Sequence, residues 1–130
     1  MVNVSEERLN NVFFTNITLT RGDDCTLVMP IYTVAADGSK TEYTPDQAND
    51  TFAIQVRKAP VTGTGTAPAI VFTGTTSFDA DGRLNWDISD SDSTQDVGKY
   101  YWDAQITTGG KTYTFYQGWL FIFQEATVTT

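Results

Sequence analysis

The chain has 130 residues, enough for one domain with a substantial core. Sixteen Asp and Glu against eight Lys and Arg give a net charge of −8, which repels a nucleic-acid backbone rather than steering it in. With no histidine and a single cysteine, Ser-His-Asp and Cys-His nucleophile systems, most zinc sites and any internal disulfide are excluded.

Residues 1–12 read as a polar N-terminal arm, a short helix or a loose segment, ahead of one domain spanning 13–130. The arm carries acidic residues and lacks the apolar centre of a signal peptide. No apolar run approaches the roughly 20 residues that cross a bilayer, so no membrane partner is expected. From there on, period-two alternation dominates: Ile17 and Leu19; Cys25, Leu27, Met29 and Ile31; Phe52, Ile54 and Val56; Leu84, Trp86 and Ile88; Tyr100, Trp102, Ala104 and Ile106. Each set predicts a strand with one buried face. Asp37-Gly38, Asp81-Gly82 and Gly109-Gly110 supply tight turns between strands, and the Pro/Gly/Thr-rich stretch 59–69 reads as a loop. The spacing predicts an all-β chain, an antiparallel β-sandwich of about seven to nine strands.

Four features of the sequence bear on chemistry. TGTGT at 62–66 lacks the Lys-Ser/Thr of a phosphate loop and reads as a turn. Asp87, Asp90, Asp92 and Asp96 form an acidic loop that could offer oxygens to calcium; the alternative is a solvated turn capped by its own side chains. Arg21-Gly22-Asp23 spells an integrin-recognition tripeptide at a place where a glycine turn is needed anyway. Cys25, on a strand and without an activating base, reads as core filler. No catalytic residue, cofactor or firm metal site is assigned, and the chain reads as a non-enzyme.

Asp96, Gly98 and Tyr100 match the D-x-G-x-Y run that leads into the sixth strand of many immunoglobulin sandwiches. The tyrosine is expected to turn its hydroxyl back onto the preceding loop, with Gly98 giving room for the bend. Two residues on, where those domains place a disulfide cysteine, stands Trp102. Packing among Trp102, Trp86 and Cys25 is expected to replace the crosslink.

GWLFIFQ at 118–124 is apolar on both faces, with Trp119, Phe121 and Phe123 on one and Leu120 and Ile122 on the other. One set fills the core; the other needs cover from the same chain or from a partner. Val12, Phe13 and Phe14 pose the same problem, and Tyr101, Tyr113 and Tyr116 are expected to extend the patch.

From about residue 20 to 127 the chain resembles immunoglobulin-like modules of bacteriophage virions, related to the N-terminal part of baseplate upper proteins. The likeness rests on Gly22-Asp23 with CTLVMPIYTVAADGS, on TFAIQVRKA and DADGRLNWDIS, and above all on VGKYYWDAQITTGGKTYTFYQGWLFIFQEATVT. It implies an immunoglobulin-like sandwich with a structural, non-enzymatic role in a virion assembled in the bacterial cytoplasm. Its partners would be other virion proteins and further copies of itself. With the sequence ending at Thr130, a small adaptor or decoration component of head, tail or baseplate is expected. The competing reading is a module that binds carbohydrate on a host surface through exposed Trp and Tyr beside Asp.

Overall fold

The computed structural model describes residues 7–8, 13–60, 63 and 65–124. The first strands are β1 (Glu7–Arg8), β2 (Phe13–Phe14), β3 (Ile17–Thr20), β4 (Cys25–Val28), β5 (Ile31–Ala35) and β6 (Lys40–Tyr43). They are followed by β7 (Thr51–Arg57), β8 (Ile70–Phe72), β9 (Thr75–Phe78) and β10 (Leu84–Ile88). A single turn of helix, α1 (Asp90–Ser93), precedes the long hairpin of β11 (Gly98–Thr108) and β12 (Lys111–Phe123). The all-β expectation holds, with more strands among the described residues than the alternation suggested. Pro30 cannot donate to a ladder, so the run from Cys25 to Ile31 divides into β4 and β5. In the N-terminal segment, Glu7 and Arg8 pair with Ala35 and Val34.

Three sheets result, ordered β1-β5-β6, β4-β10-β9 and β2-β12-β11-β7-β8, with β3 also on β12. Pairing is antiparallel except at one edge, where β2 and β3 run parallel to β12. All three predicted turns form: Gly38, Gly82, Gly109 and Gly110 take positive φ between paired strands.

The β4-β10-β9 sheet faces the largest sheet in a sandwich-like arrangement, and the alternating residues meet between them. Leu84, Trp86 and Ile88 of β10 and Trp102, Ala104 and Ile106 of β11 are buried, as are Leu120 and Ile122 of β12. Four rings run through this core in nearly parallel planes. Phe72 lies 6.4 Å from Trp86, Trp86 lies 5.3 Å from Trp102, and Trp102 lies 6.0 Å from Tyr116, with interplanar angles of 18°, 20° and 19°. Such pairs contribute about 0.5–1.5 kcal/mol each beyond their burial. Cys25 packs against this core, and burial pushes its thiol above the ordinary value.

The strand β12 changes phase in its middle. Ala104 pairs with Tyr116 and Gln105 with Thr114, leaving Phe115 as the extra residue of a bulge. Phe115 is buried, and on either side of it Tyr113 and Tyr116 both pack against the core. An unbroken period of two would have sent one of them outward.

Each tryptophan must also satisfy its indole N–H once buried. Trp102 Nε1 donates to the Thr15 carbonyl at 2.9 Å, and Thr15 N donates to Gln117 O at 2.9 Å. That carbonyl reaches inward because Gly118, the partner of Trp102, has no side chain: a Cβ there would lie 2.1 Å from Thr15 O. Replacing Gly118 with Ala should therefore lever β2 and β3 off β12 and cost about 1–3 kcal/mol, the usual range for overpacking. Denaturant unfolding would read it as a lower midpoint, and an unchanged midpoint would show that Thr15 does not hold this position.

Candidate functional site

The predicted tyrosine corner is present. The Tyr100 hydroxyl donates to the Asp96 carbonyl at 2.5 Å, and the ring is buried at the start of β11. Gly98 opens that strand with extended backbone at φ 157°.

The acidic loop is organised by its own caps. Ser89 caps α1, accepting from Asp92 N at 3.1 Å, while the Asp92 carboxylate accepts from Ser89 N at 3.0 Å. Asp90 N donates to Asp24 Oδ1 at 2.7 Å. Asp87 lies on the outer face of β10, where it accepts from Thr26 Oγ1 at 2.9 Å and Ser77 Oγ at 2.8 Å. Asp87, Asp90, Asp92 and Asp96 are therefore not brought together, and no group of three metal-ligating side chains occurs among the described residues.

The Arg21-Gly22-Asp23 turn is woven into the same corner. Arg21 Nε donates to Gln95 O at 2.9 Å, and Gly22 N donates to Ser93 Oγ at 3.1 Å. Ser93 is fully buried, and its hydroxyl donates to Asp23 O at 2.8 Å. Ser93 carries no signal of this role in the sequence, because a serine in an acidic loop gives no sign that it will be buried. Substituting Ser93 with Ala leaves Gly22 N and Asp23 O without this partner. Stability should fall by about 1–3 kcal/mol, measurable by urea titration, and a loss within error would mean that water replaces the hydroxyl.

The outward face of the largest sheet is where function can be sought. Of the residues singled out there, Leu120 and Ile122 belong to the core and cannot serve as a surface patch. Tyr113 and Tyr116 likewise turn inward, a consequence of the bulge at Phe115. The Tyr116 hydroxyl donates to Pro30 O at 2.8 Å, and burial pushes its pKa up to about 12. Val12 lies outside the described residues, and of Phe13 only the strand pairing with Tyr116 is described.

What remains outside is a stripe along β12: half-buried Trp119 and Phe121, then Phe123 at 54% exposure. The Phe121 and Phe123 rings stack at 6.5 Å. Phe14, in register with Gln117, is 77% exposed, and Val97 is also exposed just before β11. On the far side of the stripe, Tyr101 meets Trp119 edge to face at 5.5 Å, and Lys99 Nζ lies 3.9 Å from the centre of a Trp119 ring. Internal cover thus reaches Trp119 and leaves Phe14 and Phe123 open.

Beside this stripe the face turns polar in two cross-strand rows. Arg57, Tyr101 and Trp119 form one; Gln55, Asp103 and Gln117 form the next. Gln117 Oε1 accepts from the Tyr101 hydroxyl at 2.8 Å, and Gln55 Oε1 accepts from Arg57 Nη2 at 2.9 Å. Burial pushes the Asp103 carboxyl above its ordinary value, against the opposing pull of Arg57. No side-chain hydrogen bond reaches Asp103 from the described residues.

An opening of ≈ 260 Å³ between β3 and β4 is lined by Ile17, Leu27, Met29, Trp102 and Tyr116 among others. No described helix is long and apolar enough to cross a membrane. No known protein family matches the chain, and no curated protein matches it either.

The sign of the Asp103 effect on stability follows from its raised folded-state pKa. Ionisation costs stability once pH rises above the ordinary carboxyl value, and the full cost is reached above the raised one. Asp103→Asn should therefore raise the melting temperature at pH 7, and the gain should shrink as pH falls through the raised value and vanish below the ordinary one. Thermal melts across pH 3–7 would test this, and a gain that does not change with pH would contradict it.

Proposed function

We propose that the chain is an immunoglobulin-like sandwich serving as a non-enzymatic structural component of a bacteriophage virion, held in place by the β12 aromatic stripe. The strand order supports the fold reading. One sheet is β4-β10-β9; the other runs from β8 through β7, β11 and β12 to a parallel edge strand, β3. A tyrosine corner opens β11 at the position that such sandwiches use to fix the crossover.

The functional reading is carried by one observation: Phe123 on β12 and Phe14 on the neighbouring β2 remain open, while the other face of β12 is already core. Exposed aromatics in a row favour association, because their burial releases ordered water at little cost in side-chain freedom. The partners proposed are other virion proteins and further copies of this chain, assembled in the bacterial cytoplasm. A packed core of stacked rings suits that reducing setting, where a disulfide would not persist.

Changing Trp119 or Phe123 to Asp should leave the fold intact and lower particle incorporation by roughly tenfold or more, the scale of losing one central anchor. Co-sedimentation with phage particles, alongside light scattering of the purified chain, is the measurement. Normal incorporation of both variants would sink the proposal.

A further inference from the structure

We infer that the polar half of the same sheet face, centred on the Gln55–Asp103–Gln117 row, is a binding site for a neutral saccharide. It adjoins the aromatic stripe but does not depend on that stripe's role in assembly.

The row has three properties that a sugar requires. It offers acceptor and donors together: the Asp103 carboxylate takes hydroxyl protons, while the Gln55 and Gln117 amides supply N–H groups to hydroxyl oxygens. Adjacent ring hydroxyls both donate and accept, so this mixture matches a pyranose edge. Second, the amides are already oriented. Tyr101 and Arg57 occupy their oxygen ends, which leaves the NH2 ends as the donors still on offer in this row. A site fixed before binding loses less side-chain entropy when the ligand arrives. Third, Tyr101 occupies the same strand face two residues before Asp103, where its ring can border the C–H surface of a sugar.

The same chemistry argues for neutrality. Asp103 repels an anionic ligand, and Arg57 is turned to Gln55 Oε1 and the Pro68 carbonyl rather than left open for phosphate. A peptide strand would seek a sheet edge, where backbone groups stand unpaired, whereas this row lies between paired strands. Asp103 is half-buried and receives no side-chain hydrogen bond from the described residues, so its carboxylate keeps acceptor sites open to a bound hydroxyl.

The test is retention of the labelled, full-length chain on an array of neutral and acidic oligosaccharides. Neutral glycans should be retained. Asp103→Ala and Gln117→Ala should each lower the signal about tenfold, the effect of losing one or two hydrogen bonds to a charged or fixed group. The isosteric Asp103→Asn should do the same while melting no lower than the parent, which separates a lost contact from a lost fold. Phe123→Asp should bind glycans like the parent, so that failure of virion docking and failure of glycan binding are read separately. Retention of acidic glycans alone, of no glycan, or of the Asp103 variants at parental level would overturn the inference.

Discussion

The constraint on which this structure turns is the need to bury two indoles in contact and still satisfy both of their N–H groups. Trp86 and Trp102 stack at 5.3 Å across the interior, and neither finds a side-chain acceptor. Each donates to a backbone carbonyl instead, Trp86 to Thr73 and Trp102 to Thr15, both at 2.9 Å. Each approach leaves no room for a side chain beside it, and in both places glycine makes that possible. A Cβ at Gly74 would lie 2.5 Å from Trp86 Nε1, and one at Gly118 would lie 2.1 Å from Thr15 O. The tryptophan pair thereby fixes the entry into β9 and the path of the first edge strand. A disulfide would join two points; this arrangement joins two side chains to two distant backbones.

Filling the interior this way determines what the outside can be. β11 gives Tyr100, Trp102, Ala104 and Ile106 to the core, and β12 gives Gly118, Leu120 and Ile122. By the pleat, every residue between them must face out. The bulge at Phe115 then draws both Tyr113 and Tyr116 inward. The outer face is left with two separated characters: aromatic toward the end of β12, amide and carboxylate toward its middle. That separation is why the two proposals, packing against protein and hydrogen bonding to a polyol, fall on neighbouring parts of one sheet.

Much of this was legible in the residues. Alternation identified the buried faces of β7, β10 and β11, and glycine pairs marked the turns, because both signals depend on local geometry that the sequence encodes directly. Tyr100 and its corner were legible for the same reason. The roles of Tyr113 and Tyr116 were not, since the change of phase arises where Phe115 has no partner across the ladder. Register between strands is a long-range property, and KTYTFYQ contains no glycine or proline to announce a bulge. Leu120 and Ile122 could be recognised as opposite to Trp119 and Phe121, but which set faced inward depended on Trp102 pairing with Gly118. The acidic loop misled differently. Four aspartates suggested oxygens for a cation, yet the Asp87 and Asp92 carboxylates are taken up by a ladder contact and a cap, and no group of three metal-ligating side chains forms among the described residues.

The placement of charge gives the outer face a further distinction. The chain carries −8 overall, and its acids gather on loops and on α1. Across the outward positions of β7, β11 and β12 there are two cations, Arg57 and Lys99, and one carboxylate, Asp103. Away from this face, acids outnumber bases among the described residues. At this face the local charge is slightly positive, and with a Debye length of about 8 Å at physiological salt the distant acids are largely screened. The aromatic stripe therefore lies on a surface where the protein's own net charge least opposes association. Lys99, laid over Trp119, holds one of those cations against the stripe rather than in open solvent.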